Sequence, residues 1–390
     1  MKVLLFDMDG VLLEPAGYHR ALQETVAQVG QLLGYGRVQL DAQDITAFEA
    51  AGVASEWDSA AICAALLLVN LWPVHPALRL PVAVGAPVIA PHATPPPDFR
   101  PFIGALARPD LRDMPPLRRA EVLLCTSGTL NGDQRRALEK ILRTARQMDG
   151  SLTHRLFQEL VLGSRTFAET YDLAPALDVE SFLSRYDRPT LSPSTGDRLA
   201  RWLEAPQHRA AIFTGRPSRA PARRAGAPEA EIGARRAGVE SLPIVGLGGL
   251  GWLADRRGCE PEALLKPSPV HTLAALRRAG GDTLVNALEA SAALAIEGQA
   301  DAFWATLRRA QVYVFEDTVP GLRSIVAARD LLAQAGVPIQ TRLFGVAARA
   351  EKRQALEAAG AAVTPDLAAA LRRVFTSGGF LNPTPLRFGD

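Results

Sequence analysis

The chain of 390 residues reads as an α/β protein, a parallel-sheet core with an inserted α-helical block. Three observations predict this. Short apolar runs at 3–6, 210–213, 312–315 and 339–344 read as strands, and towards the C-terminus they alternate with helical spacing, the pattern of a parallel sheet with helices on both faces. Three of the runs end abruptly in polar turns: Asp7-Met8-Asp9-Gly10, Thr214-Gly215-Arg216 and Glu316-Asp317-Thr318. Between the first and second of these turns the apolar spacing is helical, with no sign of alternating strands. The length exceeds what a single core usually fills, so two domains are expected.

Val3-Leu4-Leu5-Phe6 is a continuous apolar run closed by a turn signal, as suits a strand covered on both faces. Asp7 then stands at its carboxyl end, where ligands of open α/β sheets bind. The two-residue spacing points Asp7 and Asp9 to the same side. Two carboxylates so close have their titrations pushed apart unless a cation is present. One can stay anionic as nucleophile and metal ligand while the other carries a proton as general acid, a division of labour suited to phosphate-ester cleavage. The plainer alternative is a strand-to-loop turn that uses Asp and Gly for backbone reasons.

Helical spacing follows over 18–33, through Leu22, Val26, Val29 and Leu33. Asp41 or Asp44 is placed to start the next helix, which buries Ile45, Phe48 and Val53, and 57–71 continues the pattern. From 73 to 116 prolines recur too often for regular structure, so a long loop is expected, part of it mobile. Helices resume at 132–148 and at 151–162, the latter with Ser151 as N-cap, and 172–193 is looser. After the strand at 210–213, 242–245 is a further strand candidate. Ser268-Pro269 reads as cap and first residue of a helix over 270–278. Helix is expected over 282–309 and from Pro320 to about 335, then strand at 339–344, helix at 351–359, strand at 361–363 and helix at 366–374. The Gly/Pro-rich tail is expected to be frayed.

Composition narrows the function classes. A formal net charge of +2, with 22% charged residues, gives no basic surplus for nucleic acid. Cys63, Cys125 and Cys259 lie far apart without any CxxC, which argues against zinc or a disulfide framework and fits a reducing cytoplasm. The most apolar run, 60–74, is too short to span a bilayer and contains Asn70. The opening residues lack a signal-peptide layout, so a cytoplasmic location away from membranes is expected.

The turns after Phe6, Phe213 and Phe315 follow strands of one parallel sheet and so converge at one edge, with Lys266 available from a neighbouring loop. Asp7-x-Asp9-Gly10, Thr214-Gly215-Arg216, Lys266-Pro267 and Glu316-Asp317 resemble, in that order, the four motifs of the haloacid-dehalogenase-like (HAD) hydrolase superfamily. Asp7-x-Asp9-Gly10-Val11-Leu12 and Phe315-Glu316-Asp317-Thr318-x-x-Gly321 are similar to the subgroup of phosphoglycolate phosphatases and β-phosphoglucomutases. That subgroup carries a helical cap between the first two motifs. The resemblance implies a discontinuous Rossmann-like core of 1–15 and 195–375, a helical cap of 16–194 containing the proline-rich loop 73–116, and a tail of 376–390.

The same resemblance implies a Mg²⁺-dependent phosphatase acting on a small phosphorylated metabolite. Asp7 would be the nucleophile that becomes an aspartyl phosphate. Asp9 would protonate the leaving alcohol and then deprotonate the attacking water. The metal ligands would be the Asp7 carboxylate, the Asp9 backbone carbonyl and Asp317, hard oxygens of the kind Mg²⁺ prefers. Gly10, Thr214, Gly215 and Lys266 would hold the phosphate. Glu316 would order a metal-bound water or cap its turn, and Arg216 is either a site residue or an exposed side chain. Tyr18 and Arg20 would reach the substrate from the cap, or else serve helix packing and surface charge. Lys266 has its own plain alternative, a surface lysine before a helix.

Other readings weigh less. Gly246-x-Gly248-Gly249-x-Gly251 fits a dinucleotide fingerprint, but about twenty residues on stands Lys266 and no acid, so a flexible turn is expected. The six histidines show no zinc spacing, and Cys125-Thr126-Ser127-Gly128 reads as a turn, without the flanks of a nucleophile elbow. A phosphosugar mutase is an alternative, for which His19 is the sole cap group on offer. A catalytically silent binding or regulatory module is another. The sequence leaves the oligomeric state open.

Overall fold

Val3, Leu4, Leu5 and Phe6 are all fully buried in strand β1 (Lys2–Phe6), the centre of the sheet. The computed structural model describes residues 1–53, 55–85, 87–126, 130–221 and 226–376. The chain divides into two compact units, Met1–Pro15 with Asp187–Asp390, and Ala16–Tyr186.

In the first unit β1 is followed by β2 (Leu13–Glu14), β3 (Arg188–Pro189), β4 (His208–Phe213), β5 (Ile244–Val245), β6 (Gln311–Glu316), β7 (Gln340–Val346) and β8 (Ala362–Thr364). Six of them form one parallel sheet in the order β5-β4-β1-β6-β7-β8, while β2 and β3 pair antiparallel as a separate ribbon. Counted along the chain the six strands run 3-2-1-4-5-6, the doubly wound Rossmann order, so the sheet reverses its direction of growth between β1 and β6. Phe6 is in register with Ile212 on one side and Phe315 on the other, so the polar turns leave the same edge.

Side chains alternate between two cores. Val3, Leu5, Phe213, Val312 and Val314 pack with the helices Leu247–Arg257, Pro269–Ala279, Leu284–Glu297 and Val319–Gln334. Leu4, Phe6, Ile212, Tyr313 and Phe315 pack with the helices Pro193–Leu203, Glu229–Arg236 and Leu367–Thr376. On that second face Phe315 stacks on Phe6 at 4.9 Å and on Phe344 at 5.4 Å between ring centroids. Burial on both faces is why these strands read as unbroken apolar runs.

Several local expectations change. The helix Pro193–Leu203 and the strand β3 belong to the first unit, so the division falls at Asp187 and not at 195. The helices Pro193–Leu203 and Glu229–Arg236 were not expected, because each buries only a few residues among many charges. The stretch 282–309 is the helix Leu284–Glu297 followed by the 3-10 turn Ala302–Leu307. Ser268 precedes Pro269 as expected, but its hydroxyl makes no cap bond, and its carbonyl accepts from Ser324 Oγ at 2.6 Å.

The glycine-rich 246–251 is no flexible turn: it joins β5 to the helix Leu247–Arg257. A β-carbon at Gly248 would lie 1.8 Å from the Ser218 carbonyl oxygen and one at Gly246 2.7 Å from Ser218 Oγ, so these glycines admit the neighbouring loop. The tail 377–390 and 127–129 of the Cys125 turn lie outside the described residues.

Among the described residues, the regular structure of the second unit is helical. Asp41 caps the helix Ala42–Ala50 in a capping box with Asp44, and Ser151 caps the helix Leu152–Leu162. The helix Ser164–Tyr171 follows after a single glycine, and Phe182–Tyr186 interrupts the stretch read as loose. The proline-rich loop is shorter than expected, since Arg100–Leu106 is helical with Pro101 in its first turn, where a missing N–H costs nothing. Upstream of that helix, Asn70 Nδ2 donates to the Pro95 carbonyl and the Val88 N–H donates to the Leu32 carbonyl.

Candidate active site

The turn after β1 winds tightly around Met8, whose side chain is buried and whose carbonyl accepts the N–H groups of Leu12 and Leu13 at 2.9 Å. Gly10 completes it at φ +74°, where a β-carbon would lie 2.1 Å from Asp317 Oδ2. Glycine is therefore required twice over, by the backbone angle and by the approach of Asp317. Asp7 itself is tied to β6 by its N–H, 3.0 Å from the Phe315 carbonyl.

Lys266 arrives from the loop before the helix Pro269–Ala279, through a cis peptide bond to Pro267. Its Nζ donates to Asp7 Oδ1 at 2.7 Å and to Glu316 Oε2 at 2.8 Å, and it lies 4.0 Å from the centre of the Phe213 ring. Its side chain is only 12% exposed, so this is no surface lysine. Glu316 serves both ends of the junction. Its other oxygen accepts from the Thr318 hydroxyl at 2.7 Å and from the N–H groups of Asp317 and Thr318. Thr318 in turn caps the helix Val319–Gln334 through the Gly321 N–H.

Thr214 is fully buried at the end of β4, where its N–H donates to the Val245 carbonyl and its Oγ1 accepts from the Arg216 N–H at 3.1 Å. The hydroxyl proton is left to donate elsewhere. Gly215 is exposed, with open space where a side chain would stand. Arg216 is buried and not solvent-facing. Its Nε contacts both oxygens of Asp9 at 2.9 and 3.0 Å, while Nη2 contacts Asp9 Oδ1 and lies 2.9 Å from Asp187 Oδ2.

The oxygens of Asp7, Glu316 and Asp317 come within 4.8 Å of one another. Burial and the neighbouring Glu316 push the Asp7 carboxyl up to about 7 against the pull of Lys266. Burial and the Asp7 charge push Asp317 up to about 6 against the pull of Lys352, whose Nζ donates to Asp317 Oδ2. Burial works against the charge on Lys266, yet the Asp7 and Glu316 carboxylates hold its ammonium above its ordinary value. The cluster is thus short of positive charge. Hard carboxylate oxygens gathered at one point, whose ionised forms lack a compensating cation, fit a small divalent ion such as Mg²⁺. With Glu316 committed to Lys266 and to its own turn, Asp7 and Asp317 are the ligand carboxylates on offer.

Comparison with known proteins places the architecture. No family model matches the chain, and no curated protein matches it. Among solved structures, the X-ray structure of the Northeast Structural Genomics Consortium target ZR25 matches with a TM-score of 0.56 at 16% identity, over 96% of this chain and 98% of that one. What they share is a fold. Phosphatase Tt82 from Thermococcus thioreducens aligns at 14% identity with a TM-score of 0.39, over 87% of this chain and 91% of its own.

The first unit therefore gathers Asp7, Gly10, Lys266, Glu316 and Asp317 around one turn, with Thr214 at the end of the adjacent strand β4 and with Asp9 held on Arg216. Tyr18 and Arg20 belong to the second unit, where Tyr18 stacks on Phe157 and the Arg20 guanidinium lies over the Tyr186 ring. Two residues that matter here were missed from sequence. Asp187 lies in a stretch read as loose. Lys352 sits between Glu351 and Arg353 in an ordinary charged helix, with no spacing to mark it.

Proposed function

We propose that this protein is a Mg²⁺-dependent phosphatase of the HAD-like superfamily, hydrolysing a small phosphorylated metabolite through an aspartyl phosphate. The observation that carries the reading is the Asp7 carboxylate at the end of the central strand, bonded to Lys266 and clustered with Asp317. The order of the four motifs along the chain supports it.

In this reading Asp7 attacks phosphorus, and the bond from phosphorus to the leaving oxygen breaks. Asp9 gives its proton to that oxygen, then takes one from the water that attacks the phospho-Asp7 and regenerates the free carboxylate. Lys266 pulls Asp7 towards its ionised form and balances the charge on the phosphoryl oxygens. Thr214 donates its hydroxyl to them, and the exposed backbone at Gly215 and the Gly10 turn flank them. Arg216 orients Asp9. Asp7, the Asp9 carbonyl and Asp317 would hold Mg²⁺, which when bound screens phosphoryl charge.

The test is release of inorganic phosphate from a generic aryl phosphate, with and without Mg²⁺, followed by a panel of phosphorylated metabolites. Metal-dependent release that is lost in Asp7→Asn is expected. Conversion of a sugar phosphate to its isomer without free phosphate would make the protein a mutase. Silence across the whole panel would make it a binding module.

A further inference from the structure

Asp317 is both a proposed metal ligand and the partner of a lysine that belongs to none of the four motifs. Lys352, on the helix Ala350–Ala358, donates from Nζ to Asp317 Oδ2. That same oxygen faces the first turn closely enough that a β-carbon on Gly10 would lie 2.1 Å from it. The ammonium therefore lies on the oxygen that the β1 turn approaches.

We propose that Lys352 is an internal counter-cation that holds Asp317 until a divalent cation displaces it, so that this helix sets the metal affinity of the site. The inference rests on the Mg²⁺ reading above.

The two lysines of the cluster differ in a way that assigns them different fates. Lys266 is 12% exposed and bridges two carboxylates at once, so leaving would strand both in a buried setting. Lys352 is 42% exposed and holds a single carboxylate, so its ammonium can swing into water at little cost. Charge balance points the same way. Against the carboxylates of Asp7, Glu316 and Asp317, Lys266 and one divalent cation together bring the cluster to neutrality before substrate arrives. Lys352 in place as well would leave a surplus of positive charge and repel the metal. Once released, its flexible stem leaves the ammonium free to follow solvent or an incoming anion.

The experiment is calorimetric titration of Mg²⁺ and of Mn²⁺ into the full-length, substrate-free protein. Lys352→Met and Lys352→Gln are expected to bind both ions roughly three- to tenfold more tightly than the wild type, and Lys352→Arg to stay within about twofold of it. Two neutral variants guard against one failing to fold, which circular dichroism reports. Equal or weaker affinity in both neutral variants, with clear binding by the wild type, overturns the inference and leaves the metal reading standing. Binding by the neutral variants alone supports it, since the lysine then excludes the ion. Absence of binding in every form overturns the metal reading and this inference with it.

Discussion

Arg216 Nε lies 2.9 and 3.0 Å from the two carboxylate oxygens of Asp9, although 207 positions separate the residues in the chain. The guanidinium also reaches Asp187, and both of those side chains are essentially inaccessible to water. A planar, always-charged fork fixes the orientation of a carboxylate in a way a lysine cannot.

Arg216→Lys keeps the charge and loses the fork. It is expected to lower kcat for phosphate release by about 10- to 100-fold while changing KM little, because misplacing a proton-transferring group costs rate more than binding. Steady-state kinetics check this, and an unchanged kcat would remove Arg216 from the mechanism. Arg216→Leu should also destabilise the protein by about 3–5 kcal/mol, since it takes the guanidinium from a buried Asp187. The denaturant midpoint reads that loss.

The raised Asp7 and Asp317 carboxyls give a pH dependence whose sign follows from linkage. A buried acid held at about 7, against an unfolded value of 3.8, contributes stability that is complete below about pH 4 and lost as pH rises through 7. Metal-free wild type is therefore expected to lose stability between pH 5 and 8. Asp7→Asn, which stays neutral, should lose roughly 1–4 kcal/mol less over the same range. Denaturant melts in chelator measure both, and adding Mg²⁺ at pH 8 should restore the wild type. Identical slopes in the two proteins would contradict the electrostatic account.

His271 gives the opposite sign. Its Nε2 donates to the Val245 carbonyl at 3.0 Å, its Nδ1 has no hydrogen-bond partner among the described residues, and burial with Lys266 nearby pushes it down to about 3. As pH falls below about 6.5 the unfolded chain takes up a proton that the folded imidazole refuses. Stability should therefore drop by about 2 kcal/mol between pH 6.5 and 5 on this account. His154 in the second unit, pushed down to about 4 by burial, adds a loss of the same sign. His271→Gln should flatten the acid side of the stability profile, and an unaltered profile would show that the imidazole titrates freely.

The legible parts of this molecule are those where the chain carries its own signal. Phe6, Phe213 and Phe315 end runs buried on both sides and are followed at once by polar turns, so the strands and their shared edge can be read directly. The helices Pro193–Leu203 and Glu229–Arg236 are covered on one narrow stripe, and their charges hide the period. Pro101 reads as a breaker within a proline-rich stretch, whereas in the first turn of a helix a proline is a starter. Arg216 was ambiguous because both of its partners are remote in sequence. Lys352 left no trace at all, since an ion pair across 35 residues has no spacing rule behind it.

The central claim is that Asp7 is the nucleophile. Mixing the protein with an aryl phosphate and Mg²⁺, quenching in acid and mapping the peptides by mass should find one phosphoryl group on Asp7, absent from Asp7→Asn together with turnover. Full hydrolytic activity in Asp7→Asn, or a phosphoryl group trapped on another residue, would contradict it.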